Sequence, residues 1–436
     1  MANRYWVGGS GTWDGTALLK WASTSGGVGG QPIPSTGDDV YFDAASGTVA
    51  ILIGASVCRN LTFTGFTGSL TATGSTLSCF GSLTMFPITS AWTGVINFLA
   101  TTPQTITSNG FTFNNPLTFS GVGGSWQLID DVTTGATRTV TLTNGTLNLN
   151  NKNLTTGVFS SNNTNTRSVA YGTGKIVLTG NNTTIWSCGD LTNFSYTGTP
   201  TVESSYSGAT GTRTFASGGT AGGTEFNVAD IKITAGTDII TIGGNGSVRN
   251  LDFTGFSGSF ANIAARTIYG NLTISSGMTV TSGSGVLTFA ATSGTKTITT
   301  NNKTINNPLT FNGIGGTFAF QDALTQGSTR AFTITNGTVQ LKSGVTSTVG
   351  SFATSTTNQK FLQSTTAGTQ ATFSQVTGIV STGYLTIKDI NATGGATFNA
   401  YTVNSNVNAG NNLGWDFFAQ LGKAIFTRRK EKRVLI

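Results

Sequence analysis

Apolar and polar residues alternate along much of this chain with the period of two that is typical of β-strands. The segment TVTLTNGTLNL at 139–149 places its Thr and Asn side chains on one face and its aliphatic side chains on the other. Asn-Gly steps at 144–145 and 336–337 supply the positive φ that a tight reversal needs. The pattern therefore predicts short strands whose buried residues in this segment are Val140, Leu142, Leu147 and Leu149.

These strands recur with a period of about 22 residues. The tetrads NLTF, SLTM and QTIT begin at positions 60, 82 and 104, and the spacing from PLTF to RTVT is again 22 residues. A coil of this length fits a β-helix, in which each turn contributes two or three short strands that stack on the turn below. We expect Leu61, Leu83 and Ile106 to form one interior stack.

A longer repeat contains the short one. NLTFTGFTGSL at 60–70 returns as NLDFTGFSGSF at 250–260 with 8 of 11 positions identical, and two further segments return at an offset of 192 residues. We therefore expect two solenoid modules, residues 46–230 and 231–416. A 22-residue coil over these residues predicts about 17 coils and, at about 4.8 Å per strand, a rod about 80 Å long.

An antiparallel sandwich is the alternative fold, because Asn-Gly is also a hairpin signal. We prefer the elongated all-β solenoid, since the 22-residue period stacks similar residues of successive coils on one another. Only 9% of the residues are charged and 60 are Gly, but 28 Phe in strand-like alternation argue against disorder.

Residues 1–45 are expected to form an N-terminal cap, because the first coil of a solenoid exposes strand edges and apolar interior. This segment holds Trp6, Trp13 and Trp21 in a Gly-rich context outside the repeats. We interpret the three indoles as the cover of the open end of the core. A functional alternative has them stacking on sugar rings, with calcium held by Asp38, Asp39 and Asp43.

Residues 417–436 differ from the body as a basic amphipathic tail. Phe417, Leu421 and Ile425 recur every four residues, as on one face of a short helix. The tail carries net charge +5, against +2 for residues 1–416. The tail is interpreted either as a solvated segment or as a binding segment. The binding alternatives are contact with nucleic acid, adsorption to anionic membrane and docking to a partner protein, and of these three we expect docking. The basic residues for such docking are Lys423, Arg428, Arg429, Lys430, Lys432 and Arg433.

The sequence offers little for catalysis. It contains no His, which removes Ser-His-Asp and Cys-His systems and His-containing metal sites. Two-carboxylate glycosidase chemistry leaves Asp130 and Asp131 as the candidate pair. The second module keeps Asp322 but has Ala323 in place of the second Asp, so we interpret the pair as turn residues. We expect no enzyme activity, no cofactor and no metal.

The cysteines show neither a disulfide framework nor a zinc spacing. Cys58 and Cys79 lie 21 residues apart and are expected on adjacent coils, where the spacing allows a disulfide but does not require one. Cys188 has no other cysteine at such a spacing. Residues 1–10 lack the apolar stretch of a secretory signal, and no run of 18 apolar residues occurs, so we expect cytoplasmic synthesis and no membrane span.

Several motifs together resemble a known family. WVGGSGTWDG, IPSTGDDVYFD, CRNLTFTGFTGSL and the closing NAGNNLGWDF resemble Gly/Thr-rich β-solenoid proteins of tailed bacteriophages and prophages, and more distantly autotransporter-like repeats. The resemblance implies a virion structural protein without catalytic residues.

From this resemblance we expect a tail fibre, spike or capsid decoration located in the virion. Its partners would be other virion proteins, met through the tail, and host surface glycans, met through Thr/Asn-rich faces. A homo-oligomer such as a trimer would add avidity to weak glycan contacts, and no specific nucleic-acid partner is expected. The alternatives are a bacterial surface adhesin and a polysaccharide depolymerase.

Overall fold

The protein is an elongated, parallel β-solenoid of about 17 turns. The computed structural model describes residues 2–13, 19–181, 184–261, 264–281 and 283–418. Each turn carries up to three short strands, which place three faces around one apolar interior. We number the faces 1, 2 and 3 in the order in which the chain visits them within a turn.

Faces 1 and 3 of the first half form two long sheets. Sheet 1, on face 1, contains Trp21–Ala22, Asn3–Trp6, Asp39–Asp43, Leu61–Thr64, Leu83–Thr84, Pro103–Thr107, Ser125–Leu128, Gly145–Asn148, Arg167–Gly172 and Phe194–Gly198. Sheet 3, on face 3, contains Ser56–Cys58, Leu77–Cys79, Ile96–Phe98, Leu117–Phe119, Thr139–Leu142, Val158–Ser160, Thr184–Asp190, Thr212–Ala221, Ile239–Ile242, Ser259–Ala261 and Thr279–Thr281.

Face 2 begins as a small sheet and continues as the longest one. Sheet 2 contains Gly11–Thr12, Ala50–Leu52, Ser69–Thr71 and Thr89–Ser90. Sheet 4 follows it and, in the second half, also takes in the strands of face 1: Thr112–Phe113, Val132–Thr134, Leu154–Thr156, Lys175–Leu178, Thr201–Ser204, Asp230–Ile233, Ser247–Val248, Leu251–Asp252, Arg266–Ile268, Leu272–Thr273, Leu287–Phe289, Thr295–Thr299, Leu309–Phe320, Ala331–Leu341, Ser351–Thr354, Lys360–Ser364, Leu385–Lys388 and Val407–Asn408.

Two short sheets complete the C-terminal turns. Sheet 5 contains Thr304–Ile305, Thr325–Gln326, Thr346–Val349, Ala371–Gln375 and Ile390–Thr393, and sheet 6 contains Ile379–Ser381, Thr397–Asn399 and Trp415–Asp416. The helical elements of the described residues are two 3₁₀ turns, Ala44–Ser46 and Thr402–Asn404.

The strands stack in register, as the 22-residue period predicts. Leu83 pairs with Leu61 on one side and with Ile106 on the other, and all three side chains are buried. Among the paired strands of the described residues, Asn3–Trp6 with Trp21–Ala22 is the one antiparallel pair. The solenoid is therefore confirmed. The antiparallel sandwich is wrong because the strands pair in parallel with those of the preceding and following turns.

Aromatic side chains stack on one another inside the solenoid. The ring centroids of Phe42 and Phe63 lie 4.9 Å apart, and those of Phe98 and Phe119 lie 4.8 Å apart. These distances equal the spacing of neighbouring strands, about 4.7–4.9 Å, because each ring sits above its counterpart in the previous turn. The four predicted buried residues of 139–149 belong to the same core, and all are fully buried: Val140, Leu142, Leu147 and Leu149.

The Asn-Gly steps form corners between faces and not tight reversals. Gly145 and Gly337 have φ of 75° and 83°, as expected of these glycines. However, the chain passes from one parallel strand to the next at both sites, and Gly337 lies inside Ala331–Leu341. The expected reversal is wrong because each neighbouring strand pairs with another turn, not with its sequence neighbour.

The two modules are rotated by one face relative to each other. Leu61–Thr64 lies on face 1, but its counterpart Leu251–Asp252 pairs with Asp230–Ile233, which continues face 2 from Thr201–Ser204. Likewise Ser69–Thr71 lies on face 2, and its counterpart Ser259–Ala261 lies on face 3. Equivalent side chains of the two modules therefore point to different sides of the rod.

The first turn is filled by tryptophan. Trp6, Trp13 and Trp21 are fully buried, and the rings of Trp6 and Trp21 meet edge to face at 5.1 Å. Trp13 also packs 5.4 Å from Phe42, the first ring of the interior stack. Because Trp21–Ala22 pairs antiparallel with Asn3–Trp6, it covers part of the edge of that first strand.

Buried cations lie inside the body of the solenoid. Arg213 and Asp238 form an ion pair whose side chains are both fully buried, with Nη2 and Oδ1 2.6 Å apart. The Arg167 guanidinium is buried and donates to the carbonyl oxygens of Ser161 and Thr192. The Lys360 ammonium likewise donates to backbone carbonyls. These charges satisfy backbone acceptors in the interior.

Candidate functional site

The outer surface of the rod carries ladders of polar side chains. Thr267, Thr288, Thr310 and Thr333 occupy one such ladder in register on sheet 4. Because neighbouring strands are about 4.8 Å apart, the ladder repeats its hydroxyl groups at that distance along the axis. The expected Thr-rich face therefore exists as a regular array of uncharged polar groups.

One polar ladder is bonded to itself. Asn336 Nδ2 donates to Asn312 Oδ1 at 2.6 Å, and Asn358 Nδ2 donates to Asn336 Oδ1 at 2.9 Å. These amides support the stacking of turns, so their capacity for a ligand is already partly used.

Asp130 and Asp131 hold backbone groups of other turns. Asp130 accepts the N–H groups of Ser108 at 2.7 Å and Asn109 at 2.5 Å, and Asp131 accepts that of Asn153 at 2.8 Å. Carboxylates in these positions satisfy the donors of turns in adjacent coils. This bonding agrees with the interpretation of the pair as turn residues.

The second module repeats this arrangement at Asp322. Its carboxylate accepts the N–H of Thr300 at 3.0 Å and that of Asn301, and Asn301 has φ of 49° where Asn109 has 48°. The same turn is thus built twice with one Asp, and Ala323 shows that the second carboxylate is dispensable for it.

The N-terminal Trp and Asp residues are committed to the fold. All three indoles are fully buried, so they offer no platform to a sugar. Asp38 accepts the N–H of Ala2 and Ser35, and Asp43 caps the 3₁₀ turn through the N–H of Ala45. Burial raises the pKa of Asp38, but hydrogen bonds from Ser35 and the charge of Arg4 outweigh it and hold this pKa below its ordinary value.

The cysteines are buried thiols. Cys58 and Cys79 pair on adjacent turns, as predicted, and both are free, as is Cys188. The hydrogen bond between the two stacked thiols, together with burial, raises the pKa of Cys58 well above its ordinary value. Burial also raises the pKa of Cys188. A thiol that stays protonated is a poor nucleophile, so Cys58 and Cys188 act as core. The same hydrogen bond lowers the pKa of Cys79, but this thiol is also fully buried and packs in the core.

The predicted docking residues, Lys423, Arg428, Arg429, Lys430, Lys432 and Arg433, lie outside the described residues. The described chain ends beside the last turn, where Phe417 is buried and its carbonyl accepts the N–H of Thr402 at 3.1 Å. Phe417 therefore packs with the body, whereas Leu421 and Ile425 of the same predicted helix face lie beyond the described part.

The C-terminal end of the solenoid is apolar on its surface. Phe418 is 81% exposed, and Val403, Val407 and Leu413 of the last turn are also exposed. Their position differs from that of the N-terminal tryptophans, which are turned inward. The N-terminal segment also exposes apolar side chains, at Leu19, Val28 and Ile33, so the ends differ mainly in that the basic segment follows the C-terminal one.

Among the open grooves of the described residues, two lie on the middle turns of the rod. One, of about 440 Å³, is lined by hydroxyl and amide groups that include Asn144, Thr146, Thr164 and Ser168. The other, of about 360 Å³, runs along sheet 4 near the junction of the modules. Among its lining residues are Thr201, Lys232, Asn250, Asp252, Asn271 and Thr273. Both volumes fall at the lower end of the range for small-molecule sites.

The junction groove rests on a frame that occurs twice in the chain. Asp230 accepts from Arg249 Nε at 2.6 Å and from Asn250 Nδ2 at 2.7 Å. Near the N-terminus Asp39 accepts from Arg59 and Asn60 in the same way, at 2.7 and 2.8 Å.

Neither this frame nor its groove was predicted from the sequence. Neither Arg-Asn pair is adjacent to its Asp in the chain, although CRNLTF and VRNLDF carry the signal.

Comparisons with protein-family models, with curated proteins and with solved structures found no match to this chain. No helix among the described residues is long and apolar enough to cross a membrane. The assignment of a function therefore depends on the architecture and surface chemistry set out above.

Proposed function

We propose that this protein is a non-enzymatic structural component of a tailed-phage particle, such as a tail fibre, spike or capsid decoration, that contacts host surface glycans. The observation that carries the proposal is a long rod with weakly charged polar faces and a basic segment after one end. A rod of this kind extends away from its attachment point and presents repeated hydrogen-bonding groups along its length.

Attachment is assigned to the C-terminal end. The exposed side chains of Val403, Val407, Leu413 and Phe418 and the basic residues from Lys423 onward lie at this end of the chain. An apolar patch beside a positive segment suits an acidic partner protein with an apolar centre. The remainder of the rod is then free to project outward, and assembly as a trimer would multiply its contacts.

Glycan contact is supported by the polar ladders and the two grooves. Hydroxyl and amide groups of Thr and Asn match the hydroxyl groups of sugars as donors and acceptors. Each single contact is weak because water competes for the same groups, so affinity comes from repetition along the rod.

The lack of catalysis is part of the proposal. Asp130 and Asp131 are each bonded to the backbone of another turn, which favours a structural role for both. A depolymerase would instead release reducing ends from a capsule and lose this activity in Asp130→Ala or Asp131→Ala.

Immunogold electron microscopy on a lysate of the source organism tests the assignment, with antibody raised against residues 46–415. We expect gold on phage particles, with tail-tip labelling favouring host attachment and head labelling favouring decoration. Gold on intact, uninfected cells alone would reject the virion assignment and support a surface adhesin.

A further inference from the structure

We propose that the junction groove on sheet 4, between Thr201–Ser204 and Leu272–Thr273, is a binding site for a neutral pyranose, with Lys232 and Asp252 as its main contacts. The inference rests on the glycan-contact part of the proposed function and gives that contact a location and a ligand class.

The first argument comes from the two copies of the same frame. Asp39 and Asp230 make matching hydrogen bonds, so the residues two positions later, Tyr41 and Lys232, are equivalent. By the same reasoning Thr62 is equivalent to Asp252. The partly buried frame is thus the same at both places, while the outward residues differ.

The outward change opens the surface of the second copy. In the N-terminal copy Tyr41 stacks on Tyr5 of the neighbouring strand, with ring centroids 4.6 Å apart and planes 12° apart, so one face of its ring is covered by the protein itself. In the second module Lys232 stands at that place, and a groove of about 360 Å³ lies there. Replacement of a ring that stacks on its neighbour by a long cation leaves the side chain at this place available to a ligand.

The charged groups in and beside the groove leave two of their number available to a ligand. Glu203 accepts from Lys175 Nζ at 2.9 Å, and Asp230 is held by Arg249, so both of these carboxylates are neutralised. Lys232 has no hydrogen bond or ion pair with any described residue.

Asp252 keeps one oxygen free. Its Oδ1 accepts from Thr254, and no donor among the described residues reaches Oδ2. In register, Lys232 and Asp252 are direct neighbours on adjacent strands.

This pair selects the ligand class. Its net charge is zero, so the groove does not favour an anion or a cation. An ammonium donates to sugar oxygens and a carboxylate accepts sugar hydroxyl protons, which together match two neighbouring hydroxyl groups of a pyranose ring. Thr273, next to Asp252 on the following strand, adds a hydroxyl group to the same row.

The test is saturation-transfer difference NMR on the full chain. The probes are the methyl pyranosides of glucose, galactose and mannose, with methyl glucuronide as the charged comparison. We expect binding of at least one neutral pyranoside, and a loss of affinity of about tenfold or more in Lys232→Met and in Asp252→Ala, as for a lost charged hydrogen bond. Thr62→Ala, at the equivalent place of the first module, should bind like the unchanged protein.

Thermal unfolding followed by circular dichroism checks that both variants remain folded. The proposal is overturned if no neutral pyranoside binds, if only the glucuronide binds, or if folded Lys232→Met and Asp252→Ala keep full affinity. Gold on phage particles without saccharide binding would reject the groove and leave the virion assignment intact. Saccharide binding with gold on cells alone would reject the virion assignment and keep the groove.

Discussion

Charged residues in the interior of this solenoid depend on their partners. Arg213 donates from Nε to Asp238 at 2.8 Å and from Nη2 to Ala235 O at 2.9 Å, and both charged side chains are fully buried. Breaking such a pair leaves one charge without compensation in a medium that solvates it poorly.

We therefore expect Arg213→Met to lower the free energy of unfolding by about 3–5 kcal/mol. Denaturant titration followed by circular dichroism measures this loss. The double variant Arg213→Met, Asp238→Asn removes the orphaned carboxylate and should lose less than the single variant. An equal or greater loss in the double variant would contradict this account.

The Asp38 carboxylate gives the N-terminal turn a defined pH dependence. Because its pKa is lower in the folded chain than its ordinary value, folding gains stability from it above about pH 4, the pKa of an unfolded Asp. This gain is lost as the pH falls through the lower, folded pKa. We expect Asp38→Asn to be less stable at neutral pH and to show a smaller decline of stability in acid, as measured by thermal unfolding across a pH series. Parallel declines for both proteins would argue against the effect.

At the scale of elements, corners between faces depend on glycine at a few positions. A Cβ on Gly145 would lie 2.4 Å from the carbonyl oxygen of Gly124, and one on Gly337 would lie 2.3 Å from that of Gly313. Both residues also have positive φ, a backbone conformation that residues other than Gly rarely adopt.

Gly145→Ala and Gly337→Ala should each destabilise the protein by roughly 1–3 kcal/mol from backbone strain, with the close approach adding to it. Gly37→Ala is the control, because its Cβ would meet no atom closer than 3.9 Å. Thermal unfolding of the three variants compares them. Similar losses at 145 and 337 are expected since the corner is built twice, and a neutral result at either would refute the shared geometry.

For the whole molecule, the described fold reaches its end at Phe417 and Phe418. Removal of residues 419–436 should leave the β-type circular dichroism and a rod about 80 Å long in small-angle X-ray scattering, because the described residues already form a continuous buried core up to Phe417. The shortened protein should also fail to incorporate into particles if attachment is through this segment. Loss of the β-type spectrum would show that the segment is needed for the fold.

Much of this fold is already present in the sequence as periodicity. The 22-residue spacing predicted the stack of Leu61, Leu83 and Ile106, since a side chain that fits one turn fits the next when the turns are alike. The Asn-Gly steps show the limit of local reasoning. Glycine at 145 was expected to adopt positive φ and does, but whether that bend makes a hairpin or a corner depends on which strands pair.

The candidate site likewise contains one feature that the sequence predicts and one that it does not. The turn role of Asp130 could be inferred from its single counterpart, Asp322, because a repeated residue indicates a repeated structural task. The junction groove could not be inferred, since Thr201, Lys232 and Asp252 belong to three different turns. Only stacking of the turns brings them into one row.

The sequence by itself therefore determined the coil, its length and its duplication, because these follow from a period that each segment carries locally. The tertiary structure decided which face each copy occupies. Nothing in a segment such as 250–260 indicates that it continues face 2 when its counterpart at 60–70 begins on face 1. That rotation depends on the number of residues used by every preceding turn, and it is fixed only when the strands Thr201–Ser204 and Asp230–Ile233 pair.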